Sequence, residues 1–392
     1  MNIETSLRIA ALPGGESRAL AETWPVGAVL PVRLLEQRGT LLDLLLDGQR
    51  ASAQLPPGSG ALPESFRVRV LAAGSQPLLE LLDAEAGDAL RMEALRTLLP
   101  RQQSQTLLLA DLQWLDAHPN ESARLLPAEV RDALAALRAT APDSTQLGDS
   151  ERLAGALRRS GGGYEQQLLQ LAQDLSITPG TPPLGGDWKA ALLRVLQVLA
   201  RQGRPLPARA ETGLSPPPLA RQPLHAEPRL AASDPGANRG ENDADVLLGR
   251  MQAHVQGALA RIEIATLEGG TQPLLWLIEL PLRAGDGYDL LQLRIAQEGH
   301  GDETPNTLWR LAFAVDPPRH GAIEGEIVLR SRRVQVQLRV ARAATQRLLE
   351  AGLPRLAAAL TTSGLLPERL QCSLGLREPA RLGSTGLLDA TA

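Results

Sequence analysis

Metal, nucleophilic or Schiff-base chemistry in this chain would have to draw on five histidines, one cysteine and one lysine. His118, His225, His254, His300 and His320 lie far apart, and none has a partner at the i, i+4 spacing that sets two imidazoles on one helical face for a metal. They read as surface or incidental residues. Cys372 stands alone, which excludes an intramolecular disulfide and a cysteine-based structural zinc site. Lys189 follows Trp188 where a phosphate-cradling Walker loop needs glycine, and no G-x-S-x-G nucleophile elbow occurs. Gly161-Gly162-Gly163 is followed by Tyr164 and Glu165 and preceded by no strand, so it reads as a break between helices. Gly285-Asp286-Gly287 reads as a hairpin turn, because Asp286 and Asp289 do not match a calcium-loop pattern. The expectation is a protein without metal or cofactor. An enzyme would need carboxylates gathered in space and a deep pocket, for which the residues give no argument.

Two features keep functional weight, and both point to protein contact. Arg330, Arg332 and Arg333 cluster at a tight turn between two strands, with Arg339 and Arg342 beyond. The plain reading is a solvated hairpin; the other is a set of guanidinium forks for an acidic partner. Leu348, Leu349, Leu353, Leu356 and Leu360 form an apolar stripe that is either core or, in part, an open groove for another protein.

Whatever positions these residues must be built largely without aromatic side chains, since the 392 residues include only five Trp, two Tyr and two Phe. Cores must come from Leu, Val, Ile and Ala, and stacking platforms for single-stranded nucleic acid are disfavoured. The net charge of -4 gives no field that would steer the chain to nucleic acid or anionic membranes. No apolar run reaches the ~18 residues of a membrane span, and the first residues lack the apolar core of a secretory signal. The default compartment is the cytoplasm. At ~150 residues per domain, the length implies two or three domains.

The pattern of apolar residues gives a multi-domain chain. Residues 1–23 read as a flexible N-terminus with room for an export signal. Residues 24–83 carry short strands, Val26 to Leu35, Leu41 to Leu46, Phe66 to Val70 and Leu78 to Leu82, and suggest a small β-barrel-like unit. Residues 84–200 switch to helical periodicity broken by Pro and Gly; Asp187 caps the last helix, which is expected to bury Trp188, Leu192, Leu193, Leu196 and Leu199. Residues 201–242, with eight prolines between Gly203 and Asn242, read as a mobile Pro-rich linker between independent halves. Residues 243–378 read as an α+β domain. It comprises a helix at 243–266, strands at 274–280, 290–296, 308–315, 323–330 and 334–340, a helix at 343–363 that Pro354 should kink or divide, and a last strand at 370–376. Val334, Val336, Leu338 and Val340 point one way and Gln335, Gln337 and Arg339 the other, so the sheet is covered mainly on one face by the second helix. Residues 379–392 read as a flexible tail.

The stretch Trp309 to Gly321, the paired strands Ile323 to Val340, the helix Leu349 to Leu360 and Gly364-Leu365 together resemble the C-terminal domain of the bacterial flagellar hook-length control proteins. In that family a strand ends in Pro-x-x-Leu-Gly, a hairpin follows, then a helix with a Leu-x-x-Leu-type repeat and a Gly-Leu before the last strand. Pro317 and Gly321 match, with His320 in place of Leu; Leu353, Leu356 and Leu360 match the helix repeat, with Ala357 where Arg is common and Arg355 nearby. Leu153 to Gly161 with Tyr164 to Leu168, and Asp187 to Leu193, resemble segments of longer members, so the likeness runs from about Leu90 to Leu376.

The resemblance implies a role without a reaction. Members of the family reside in the cytoplasm, pass out through the flagellar type III apparatus, sense hook length with the N-terminal part, and contact the cytoplasmic domain of the export-gate switch protein with the C-terminal domain. That contact turns export from rod and hook subunits to filament subunits. Hook and hook-cap proteins are further partners; nucleic acid and membrane insertion are not implied, and the chain would be a monomer. The residues assigned to partner binding are Pro317, His320, Gly321, Arg330, Arg332, Arg333, Leu353, Arg355, Leu356 and Leu360. The rival expectation is a cytoplasmic scaffold whose two halves bind separate proteins and which is not exported.

Overall fold

The computed structural model describes residues 6–11, 29–46, 49–55, 62, 65–72, 78–82, 84–173, 185–202, 217–219, 222–230, 243–269, 275–285, 287–298 and 308–377. The expected tail at 379–392, His300, Asp286 and most of the Pro-rich segment lie outside them. The chain divides into two compact units, residues 1–96 with 300–304, and residues 97–299 with 305–392.

Six strands make the first unit: β1 (Ser6–Ala11), β2 (Val29–Arg38), β3 (Leu41–Leu46), β4 (Gln49–Gln54), β5 (Ser65–Ala72) and β6 (Leu78–Leu82). They close into an antiparallel barrel in the order β1-β4-β3-β2-β5-β6, with β1 paired to β6. Alternation decides what goes inside: Leu42, Leu44 and Leu46 from β3 and Phe66, Val68 and Val70 from β5 fill the interior, while Asp43, Arg67 and Arg69 face water. The barrel matches the expectation for 24–83 but needs two strands more. β4 alternates Ala51 and Ala53 with polar residues, a weak apolar signal, and β1 comes from the stretch read as a flexible N-terminus. Closure itself calls for β1, because without it β4 and β6 would each present an open edge. A helix, α1 (Ala84–Leu98), follows.

The second unit holds α2 (Gln105–Ala117), α3 (Pro119–Leu125), α4 (Ala128–Thr140), α5 (Ser150–Arg158), α6 (Tyr164–Gln173), α7 (Trp188–Arg201) and α8 (Asp243–Gly269). Its strands are β7 (Leu275–Ala284), β8 (Gly287–Glu298), β9 (Leu308–Val315), β10 (Ile323–Arg330), β11 (Arg333–Val340) and β12 (Leu366–Leu374), with α9 (Ala343–Thr362) between the last two. Asp187 accepts from the Ala190 N–H and caps α7 as read from the sequence, and Ser104 caps α2. Leu193, expected on the buried face of α7, is exposed instead. The glycine run separates α5 from α6; Gly161, at φ +97°, lets Lys189 approach so closely that a Cβ there would lie 2.8 Å from the lysine Cβ. α9 runs unbroken through Pro354, whose ring is on the exposed side, so the carbonyl it leaves unbonded faces solvent.

One sheet, ordered β12-β11-β10-β9-β8-β7, organises this unit; all neighbours are antiparallel except β11 and β12, which α9 joins as a parallel crossover. Its first face carries Leu277, Glu279, Leu290, Gln292, Ala312, Ala314, Glu324 and Glu326, which the register places in line. At the β7–β8 end, α2 and α8 pack on it in a core containing Trp114, Leu134, Trp188, Leu192, Met251, Val255 and Leu290. On the second face, Val334, Val336, Leu338, Phe313, Ile327 and Leu370 meet Leu349, Leu353, Leu356 and Leu360 of α9. The expectation that 334–340 and 353–360 form one unit, polar residues of β11 outward, therefore holds.

Two expectations change. The helices after residue 97 and the C-terminal sheet are one unit with a shared core, not independent halves. Within the Pro-rich segment, Pro217, Pro218, Leu224 and Glu227 are buried, so residues 217–219 and 222–230 belong to that unit instead of a mobile linker. Composition is a poor guide there because the burial rests on a few side chains with partners far along the chain.

Candidate functional site

Three of the ten assigned residues lie in the turn that ends β9. The Pro317 carbonyl accepts from the N–H groups of His320 at 3.0 Å and Gly321 at 2.8 Å. Gly321 stands at φ +72° with the Arg342 side chain across it; a Cβ would come within 2.7 Å of Arg342 Nε. Arg342 Nη1 donates to the carbonyls of Pro318 and Arg319, and the buried Thr345 hydroxyl donates to that of His320 at 2.6 Å. The turn is thus fixed to the first residues of α9. Burial pushes the Asp316 carboxyl just ahead of it above its ordinary range, against the pull of Arg342.

The three arginines lie at the other end of α9. Ser331, at φ +55°, makes the β10–β11 turn. Arg332 Nε donates to the Gly364 carbonyl at 2.8 Å, tying the turn to the end of α9, and Arg333 pairs with Glu368 of β12 at 2.6 Å. Hydrogen bonds from Arg333 and Gln335 hold the Glu368 carboxyl below its usual range. Twenty helical residues separate the two ends, roughly 30 Å at 1.5 Å per residue. The assigned residues therefore form two clusters joined by a helix, not one compact site. Leu353, Leu356 and Leu360 face the sheet as core, whereas Arg355 is exposed on the outer side of α9.

Several features escaped sequence reading. On the second face, between α5 and α9, Trp276 stacks on Trp309 with ring centroids 6.1 Å apart, and Trp276 is 43% exposed. On the first face, Arg261 of α8 is wholly enclosed between two carboxylates: Nη2 lies 2.7 Å from Glu227 Oε1 and 2.6 Å from Glu279 Oε1, and Nε 2.9 Å from Glu279 Oε2. Gln292 Nε2 donates to both carboxylates, Gln105 Nε2 to Glu279, and the Ser104 hydroxyl to Glu227. Burial works against charge on this guanidinium, but Glu279 and Glu227 more than offset it and its pKa is raised. The hollow beside it has room for about one water molecule. Such a cluster holds elements together; it has no space for a substrate. A second buried carboxylate, Asp111 of α2, takes Arg250 at 2.9 Å and His254 Nδ1 at 2.6 Å, both from α8. None of these pairings has a spacing signature, because each joins residues from separate elements.

The C-terminal part of the sheet with α9 is an α+β module, and residues 297–380, which take in β9 to β12 and α9, match the family model described as flagellar hook-length control protein FliK. The chain thus carries a hook-length control domain of that family at its C-terminal end. No curated protein and no solved structure matches the chain. No helix of the described residues is long and apolar enough to cross a membrane.

Proposed function

We propose that this chain is a flagellar hook-length control protein that acts by protein contact and catalyses no reaction. It resides in the cytoplasm, leaves through the flagellar type III apparatus, and turns export from rod and hook subunits to filament subunits by touching the cytoplasmic domain of the export-gate switch protein; hook and hook-cap proteins are further partners. The observation that carries this reading is the family match over residues 297–380, which coincides with a helix-covered sheet. The contact surface is the outer side of α9 with Arg355, bounded by the turn at Pro317, His320 and Gly321 and by the hairpin of Arg330, Arg332 and Arg333, with Leu353, Leu356 and Leu360 as the support beneath.

The test is a flagellated strain in which the gene is replaced by one lacking residues 297–380. Overlong hooks without filaments are expected, with the intact chain in the culture supernatant of the parent and not of an export-deficient strain. Normal filaments, or an intact chain never found outside the cell, would overturn the reading and leave the non-exported scaffold.

A further inference from the structure

Residues 222–230 run over the first face of the sheet with little regular structure of their own; Pro228 makes a single β-bridge to Asp316. Three side chains seat the segment. Leu224 packs on Ala312 and Ala314, two residues small enough to leave a trough in the sheet. Glu227 enters the Arg261 cluster. Arg229 reaches Asp289 Oδ1 through Nε at 3.0 Å and Nη2 at 2.8 Å and the Ala284 carbonyl at 3.0 Å, beside Gly287, where a Cβ would come within 2.7 Å of the guanidinium. Arg294 Nη1 donates to the Gln222 carbonyl at 2.6 Å, and His225 Nδ1 lies 3.4 Å from Glu324 Oε1.

Each seat is built by residues from other elements and does not need the segment to exist. The alanines are fixed in β9, and Asp289 and Gly287 belong to β8. Arg261 keeps Glu279 when Glu227 is withdrawn, so this buried cation is not left unpaired; Glu227 adds the second carboxylate to a pair already neutral. A groove formed in advance that takes an extended chain through spaced side chains is how peptide-binding domains work.

We propose that residues 222–230 are an internal ligand of this sheet: a detachable segment occupying a recognition groove for extended chains with Leu, Glu and Arg at i, i+3 and i+5. Seated, it covers Ala312, Ala314 and Glu324 of the hook-length control domain; withdrawn, it opens that face. The inference does not depend on the flagellar reading, and its test involves no flagellar component.

The test uses the full chain carrying L224D and E227A together with a labelled synthetic peptide of residues 222–230. The peptide should bind the variant at least tenfold more tightly than the parent chain, and replacing its glutamate by alanine should cost at least tenfold. Equal binding to parent and variant, or no binding to a variant whose α9 and β12 amides stay protected from exchange, overturns the proposal. Should that variant lose its fold, the single change E227A decides by amide exchange. Exchange at least tenfold faster at 222–230 and 312–316 with α9 and β12 unchanged supports a detachable segment; uniform acceleration across the second unit overturns it.

Discussion

The Thr345 hydroxyl, in the first turn of α9, donates to the His320 carbonyl at 2.6 Å, and this bond, beside those from Arg342, ties the turn after β9 to the helix lying on the other side of the hairpin. T345V keeps the shape and removes the donor. The second unit should lose about 1–2 kcal/mol, because the His320 carbonyl is left unmatched. T345S should recover most of it. Denaturant titration followed by amide exchange at the start of α9 measures both.

Gly325 of β10 sits beneath the Phe313 ring, where a Cβ would meet ring carbons at 2.1 and 2.2 Å. G325A must push Phe313 out of the α9 core and should cost about 1–3 kcal/mol. An F313L change made together with it should restore part of that loss. An additive double variant would show that the ring and the glycine are not coupled.

Replacing Arg261 by methionine leaves Glu227 and Glu279 facing each other without a cation. A loss of about 3–5 kcal/mol is expected. Changing both glutamates to glutamine in the R261M background should return most of the stability, because the cost lies in stranded charge and not in volume. Equal instability of the single and triple variants would count against this account.

Glu326 gives a pH dependence. Burial works to raise its carboxyl, but hydrogen bonds from Arg310 and Arg377 outweigh it and the pKa falls below the reference 4.5. A carboxyl whose folded pKa is depressed contributes stability above its unfolded pKa and loses it as pH drops through the folded one. The parent should therefore exceed E326Q by roughly 1 kcal/mol at neutral pH, with the gap closing below about pH 4.5. Asp316 has the opposite sign: burial raises it, its contribution is full in acid and is lost as pH rises, and D316N should not destabilise the chain at pH 7.

Charge reversal at Arg355 and at Arg332 separates surface from support. Both residues are exposed; R355E should leave the thermal midpoint unchanged and R332E should lower it slightly through loss of the bond to the Gly364 carbonyl, while with either change hooks lengthen and filaments fail in a motility assay. L356D should instead unfold the module, since Leu356 belongs to the core beneath. Normal hooks with R355E and R332E would remove this surface from the proposed contact.

The sequence was most legible where burial is periodic. Val334, Val336 and Leu338 declared their face two residues at a time, and the α9 leucines declared theirs by helical spacing. The glycine break between α5 and α6, the Asp187 cap and the positions of the strands along the C-terminal module followed from the same local rules. Arg261 was not legible, because its partners Glu227 and Glu279 lie on a Pro-rich segment and on a strand, at separations no periodicity links. Leu224 was hidden for the same reason: one apolar residue among prolines has no period, and the trough that receives it is a property of Ala312 and Ala314. β1 escaped because closure of a barrel is a demand of the whole sheet, not of six residues.

The two ends of the chain meet traction differently. β1 is bonded along both flanks, to β4 and β6, so dragging it out ruptures two ladders together. β12 has a single strand neighbour and peels from β11 one bond after another, after which α9 is held by its leucines and by the Thr345 bond at its first turn. Once Arg377 releases Glu324 and Glu326, a pull from the C-terminal side therefore unzips the module bond by bond, while a pull from the N-terminal side must first break a ring.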